Sequence, residues 1–166
     1  GATGTVDFVD VDISGTSSAG VYYIKDLSGD LTGSIGTSAG AGIKFGSATS
    51  NEITMEGMNL ATNAIGVETA GSGALTFVDS TFANTKDAVI SGSGTIDFVE
   101  GTIDTSTVEV TGTGILSRIR QLDLTVTADS SPVADTRVIL KNAAGESSGV
   151  ATTDSTGLAE NMNFTT

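Results

Sequence analysis

The feature that most constrains this chain is self-similarity. Four octets align without gaps: Val6–Ile13, Ile53–Leu60, Leu75–Phe82 and Ile96–Ile103. In each, position one is aliphatic, position three is Phe or Met, and position eight is Ile, Leu or Phe. The last apolar position recurs at Ile13, Ile35, Leu60, Phe82, Ile103 and Leu124, at intervals of 22, 25, 22, 21 and 21 residues. A period of this length marks a stacked repeat, in which no unit can bury its apolar face alone.

Two further markers ride on the same beat. Gly71-Ser-Gly73, Gly92-Ser-Gly94 and Gly112-Thr-Gly114 precede successive copies, and Gly20-Val21, Gly42-Ile43, Gly66-Val67 and Ala88-Val89 follow. Each repeat thus reads as two or three short strands separated by Gly/Ser/Thr/Asn/Asp turns. A leucine-rich repeat has a similar period but needs many leucines and an Asn column. Hexapeptide helices need a six-residue beat, and calcium-binding rolls need Gly-Gly-x-Gly-x-Asp.

The expected fold is therefore all-β: a right-handed parallel β-helix of roughly five coils, each of about 22 residues, spanning 1–120. Alternate apolar residues should turn inward and stack about 4.8 Å apart. Val6, Ile53, Leu75 and Ile96 form one expected column. Phe8, Met55, Phe77 and Phe98 form the second, and Ile13, Leu60, Phe82 and Ile103 the third. The coil over 14–35 fits the frame least well. The copy at Ile115–Leu124 carries an extra residue and introduces Arg118 and Arg120, marking the end of the stack.

From about residue 121 the beat disappears. Strands are expected at 122–127, 136–141 and 149–153, with turns at Asn142–Gly145 and Asp154–Gly157 and a last segment from Leu158 to Phe164. Leu124-Thr-Val, Pro132-Val-Ala, Val138-Ile-Leu, Asn142–Gly145 and Thr153-Asp-Ser-Thr-Gly157 resemble the carboxypeptidase-regulatory-like family. The resemblance implies an Ig-like or transthyretin-like antiparallel sandwich over 121–166. That sandwich is incomplete here, with an open edge that needs a partner, a cap or more chain.

The net charge of −13 and the pI near 4.1 argue against nucleic acid, whose phosphates need clustered Lys and Arg. No apolar run approaches the length of a membrane span, so no membrane insertion is expected. The chain has neither His nor Cys, which removes Ser-His-Asp catalysis, thiol nucleophiles and Cys/His zinc clusters. Only carboxylates remain for chemistry.

Asp79 and Glu100 share position five of adjacent coils. Stacking should put them about 5 Å apart, the separation a retaining glycosidase uses. Stacked carboxylates with backbone carbonyls also suit Ca²⁺, at Asp7, Asp10 and Asp12 or at Asp79 and Glu100. In architecture the chain resembles the pectin-lyase-like superfamily, which implies a polysaccharide ligand. The superfamily's histidine motif is missing, and only Arg118-Ile119-Arg120 resembles its basic one. Tyr22-Tyr23 offers a sugar-stacking or core pair, and Asn163-Phe-Thr165 is a glycosylation sequon.

The expected role is a non-enzymatic, extracellular or cell-surface structural and adhesive segment of a larger protein. No cofactor other than Ca²⁺ is expected, and the partners are further copies, neighbouring domains or carbohydrate. The pairing of the two regions is similar to that in large acidic surface proteins of marine or salt-adapted archaea and bacteria. The alternative is a polysaccharide-binding or polysaccharide-cleaving fragment using Asp79 and Glu100.

Overall fold

A computed structural model describes residues 8–23, 31–50 and 52–165. Val6 and Asp7 lie outside them, as do the side chains of Phe8 and Asn163. The chain divides into two compact units, 1–117 and 118–166.

Unit 1 is a parallel β-solenoid of about five turns. The first coil contributes β1 (Phe8–Ser14) and β2 (Val21–Tyr23). The second contributes β3 (Leu31–Gly36) and β4 (Ala41–Phe45). The third holds β5 (Glu52–Glu56), β6 (Asn59–Ala61) and β7 (Ile65–Thr69). The fourth holds β8 (Ala74–Val78), β9 (Thr81–Ala83) and β10 (Lys86–Ile90). In the fifth, β11 (Thr95–Val99), a 3-10 turn (Thr105–Thr107) and β12 (Val108–Val110) follow.

Strands stack only on their equivalents one coil away. Sheets run β1-β3-β6-β9 and β2-β4-β7-β10-β12, and β5, β8 and β11 stack in a third. The register places Ile53, Leu75 and Ile96 opposite one another, and likewise Met55, Phe77 and Phe98. Ile13, Ile35, Leu60 and Phe82 form the third column, which a bridge between Thr81 and Thr102 extends to Ile103. Phe8 pairs with Leu31.

The columns merge into one core. Phe77 and Phe98 stack with centroids 5.6 Å apart, and Phe82 meets both rings edge-on at 5.0 and 4.6 Å. Tyr23 lies flat on Phe45 at 4.7 Å. Such aromatic pairs add about 0.5–1.5 kcal/mol each beyond area burial.

The glycine turns are explained by contact between coils. A Cβ on Gly92 would lie 2.1 Å from the Gly71 carbonyl oxygen, and one on Gly112 would lie 2.1 Å from that of Gly92. Gly94 donates its amide to Gly71 O and Gly114 donates to Gly92 O, both at 3.0 Å. Backbone therefore packs directly on backbone at this corner, and no side chain fits.

Two expectations about register need correction. Val67 stands opposite Ala88, not Val89. Ala88 is the inward residue, and Asp87 occupies the slot that Gly66 fills one coil earlier. Leu124 does not continue the third column: it pairs antiparallel with Ala159. The reason is that β13 (Ile115–Thr125) runs on with no corner that would return the chain to the solenoid path.

Unit 2 is antiparallel. Residues 119–125 of β13 pair with β18 (Leu158–Thr165). β14 (Thr127–Ala128) pairs with β15 (Ser131–Pro132), and β16 (Arg137–Lys141) with β17 (Ser147–Thr152). The Asn142–Gly145 turn closes the last hairpin: Asn142 Oδ1 accepts from Ala144 and Glu146 amides, and Gly145 takes φ 84°. Buried Thr153 ties the strands to the preceding loop. Its hydroxyl accepts from Thr136 N at 2.9 Å and donates to Val133 O at 2.7 Å.

Candidate functional site

Two lines of polar residues run along the solenoid. The first is the corner at position five. Asp10, Gly57, Asp79 and Glu100 take φ of 52°, 65°, 49° and 55° there. The chain turns sharply at each of these positions, in a conformation that glycine tolerates best and that Asp tolerates better than most residues. The backbone thus supplies one reason for carboxylates at position five. Thr32 fills the equivalent place in the second coil, where its hydroxyl accepts from Asp10 N at 2.9 Å.

Asp79 and Glu100 do stand in adjacent coils: Val78 pairs with Val99, and Asp79 N donates to Val99 O at 2.9 Å. Asp79 is exposed and Glu100 half-buried. Asp10 and Asp12 are both exposed on either side of half-buried Val11. Among the described residues no group of three or more acidic side chains gathers as a metal site; Asp7 lies outside them. A groove of about 470 Å³ opens beside this corner, lined by Val9, Asp10, Thr32, Gly33, Glu56 and Gly57 among others. With two carboxylates, a hydroxyl and exposed Val9, it suits a cationic or hydroxyl-rich partner.

The second line is a polar ladder at the next corner, and the sequence reading missed it. Thr16 Oγ1 donates to Ser38 Oγ at 2.8 Å, and Ser38 N donates to Asn63 Oδ1 at 3.0 Å. Asn63 Nδ2 donates to Ile35 O at 2.8 Å and to Asn84 Oδ1 at 2.9 Å. Asn84 Nδ2 repeats the pattern to Leu60 O at 2.8 Å. Asp87 ends the ladder. Its Oδ1 accepts from Asn84 N at 2.9 Å, its Oδ2 from Asp104 N at 2.8 Å. Buried polar groups are tolerated when every lone pair and proton is used, and here each coil satisfies its neighbour. The signal was present as hydrogen-bonding residues at Thr16, Ser38, Asn63 and Asn84, but their chemistry differs from coil to coil.

Alongside, Thr37 and Thr62 hold φ of 55° and 60°, rare for β-branched residues. Their hydroxyls accept from Gly15 N at 2.7 Å and from Thr37 N at 3.2 Å. Asp104 caps the 3-10 turn, accepting from Ser106 Oγ and Ser106 N, and these bonds hold its carboxyl below the usual carboxylate range. Asp154 does the same in unit 2, held down first by the Thr156 hydroxyl and then by the amides of Leu158 and Thr156.

Tyr22 and Tyr23 separate. Burial of Tyr23 pushes its phenol up, whereas Tyr22 is 52% exposed, with Lys44 Nζ 5.7 Å from its ring centroid. Lys44 pairs with Glu68 at 2.7 Å, and that hydrogen bond raises the lysine. Lys86 pairs with Glu109.

Comparison of the chain with protein-family models, with curated proteins and with solved structures returned no match.

Proposed function

We propose that this chain is a non-enzymatic structural or adhesive segment of a larger extracellular, cell-surface protein. The solenoid serves as a stiff spacer. Unit 2 serves as an Ig-like module that joins it to neighbouring domains or further copies in a surface layer. The observation that carries this reading is the unbroken bonding from coil to coil: three apolar columns, a glycine corner and the ladder from Thr16 to Asp87. In such a stack, stability is a sum of neighbour interfaces, and each coil resists displacement through both neighbours. Stretching single molecules between their termini tests it. Unit 1 should stay folded after unit 2 has opened; a solenoid that yields first sinks the spacer reading.

A second reading, polysaccharide binding or cleavage through Asp79 and Glu100, draws on their placement in adjacent coils. Release of reducing ends from acidic and neutral polysaccharides, abolished by Asp79→Asn and Glu100→Gln, would establish it. Replacing Asp79 by Gly separates the readings further, because the backbone conformation there (φ 49°) favours glycine and the fold should change little. For Ca²⁺ at either acidic set, the measurement is the melting temperature with CaCl₂ against NaCl at equal ionic strength. A rise specific to Ca²⁺ supports a site.

A further inference from the structure

The outer face of β16–β17 differs from the rest of this acidic chain. Arg137, Ile139 and Lys141 alternate on its exposed side. Ile139 pairs with Val150, and both remain exposed, at 39% and 52%. Neither Arg137 nor Lys141 has an ion-pair partner among the described residues. The opposite pattern lies on the solenoid corner, where Asp10 and Glu56 line a groove with Val9, itself 60% exposed, and Asp79 stands at the same corner one coil beyond Gly57.

The spacings correspond. Arg137 and Lys141 lie four residues apart on one strand, about 14 Å at ~3.4 Å per residue. Asp10 and Asp79 lie three coils apart, also about 14 Å at ~4.8 Å per coil. Between those two carboxylates stand Thr32 and Gly57, and the lack of a side chain at Gly57 helps open the groove.

We propose that the Arg137–Ile139–Lys141 face of one copy docks on the acidic corner groove of a second copy. Arg137 and Lys141 meet Asp10 and Asp79, and Ile139 with Val150 lies over Thr32 and Gly57 between them. The contact uses different surfaces on the two partners, so it is heterologous and builds either closed rings or open chains. It rests on the assembly part of the function proposed above and names the surfaces that perform it.

The test is light scattering against concentration, at low salt and at 1 M NaCl (on the order of a 3 Å screening length). The wild-type chain should self-associate at low salt and dissociate at high salt. Arg137→Glu with Lys141→Glu should weaken association about thirtyfold, as two exposed attractions become repulsions. Asp10→Asn with Asp79→Asn should weaken it too, and Asn keeps the turn conformation. Glu52→Gln with Asp97→Asn changes the net charge equally and should leave association unchanged. Unchanged melting temperatures keep folding out of the comparison. Wild-type association that the hairpin reversal leaves intact overturns this docking but not assembly. A wild-type chain that stays monomeric up to roughly millimolar concentration (about the 1 mM end of the affinity scale) overturns both.

Discussion

Phe77→Ala removes the ring at the centre of the solenoid. Phe77 is fully buried, with Met55 opposite it on one side and Phe98 on the other. It also meets the edge of Phe82 at 5.0 Å. Phe→Ala in a core costs about 3–5 kcal/mol, and the figure depends on how far the surroundings can collapse. Here they are fixed by strand pairing on both sides, so little collapse is available, and two ring contacts are lost as well. The expected loss is therefore at the upper end, about 4–5 kcal/mol. Ile139→Ala, on an exposed hairpin face, should cost less than about 1 kcal/mol. Urea unfolding followed by circular dichroism measures both, with the transitions of the two units fitted separately. A Phe77→Ala loss below about 1.5 kcal/mol, less than burying one such side chain is worth, would refute a close-packed, rigid interior.

Gly92→Ala should destabilise by at least about 1–3 kcal/mol, the usual cost of forcing extra volume into a packed site. Gly57→Ala, with open space around its Cβ, should cost only the positive-φ penalty of about 1–2 kcal/mol; equal effects at the two sites would argue against backbone stacking at the glycine corner. Asn63→Ala takes away the side-chain partner of Ser38 N and of Ile35 O, while Asn84 Oδ1 keeps its bond from the residue-63 amide, and should cost about 2 kcal/mol in the same urea assay, given 1–3 per buried group. Asp154→Ala tests linkage. The folded carboxyl sits below its unfolded value, so its contribution is complete above the unfolded range, near pH 3.9, and fades as the pH falls through the folded value. The stability gap between wild type and Asp154→Ala should therefore narrow as the pH falls from 5 to about 2; a gap that widens in acid contradicts the assignment.

The three columns were legible because their residues keep the same chemistry in every coil. Ile53, Leu75 and Ile96 are aliphatic, Met55, Phe77 and Phe98 are large and apolar, and the Gly-Ser-Gly turns recur with them at that beat. The 25-residue interval hid part of the frame. Its surplus lies in turns, one residue between Ser38 and Ala41 and two between Phe45 and Glu52. The pair Ala88-Val89 misled because a small residue before a β-branched one looks alike in two frames. Only the strand register, with Ala88 opposite Val67, decides between them. The ladder stayed hidden because Thr, Ser and Asn do the same bonding work without looking alike. Asp79 and Glu100 could be read as a stacked pair, but not as corner residues with positive φ, since no local motif marks that conformation.

The repeating register also makes length an inheritable variable. Ile96 already faces Leu75, so a chain lacking residues 75–95, with Ala74 joined to Ile96, presents the same kinds of residue to the same neighbours at the join. Duplicating that segment would extend the stack by one coil on the same terms. A lineage carrying this solenoid could lengthen or shorten it by unequal recombination without inventing a new contact, so related chains should differ by whole coils more readily than by single residues within a strand.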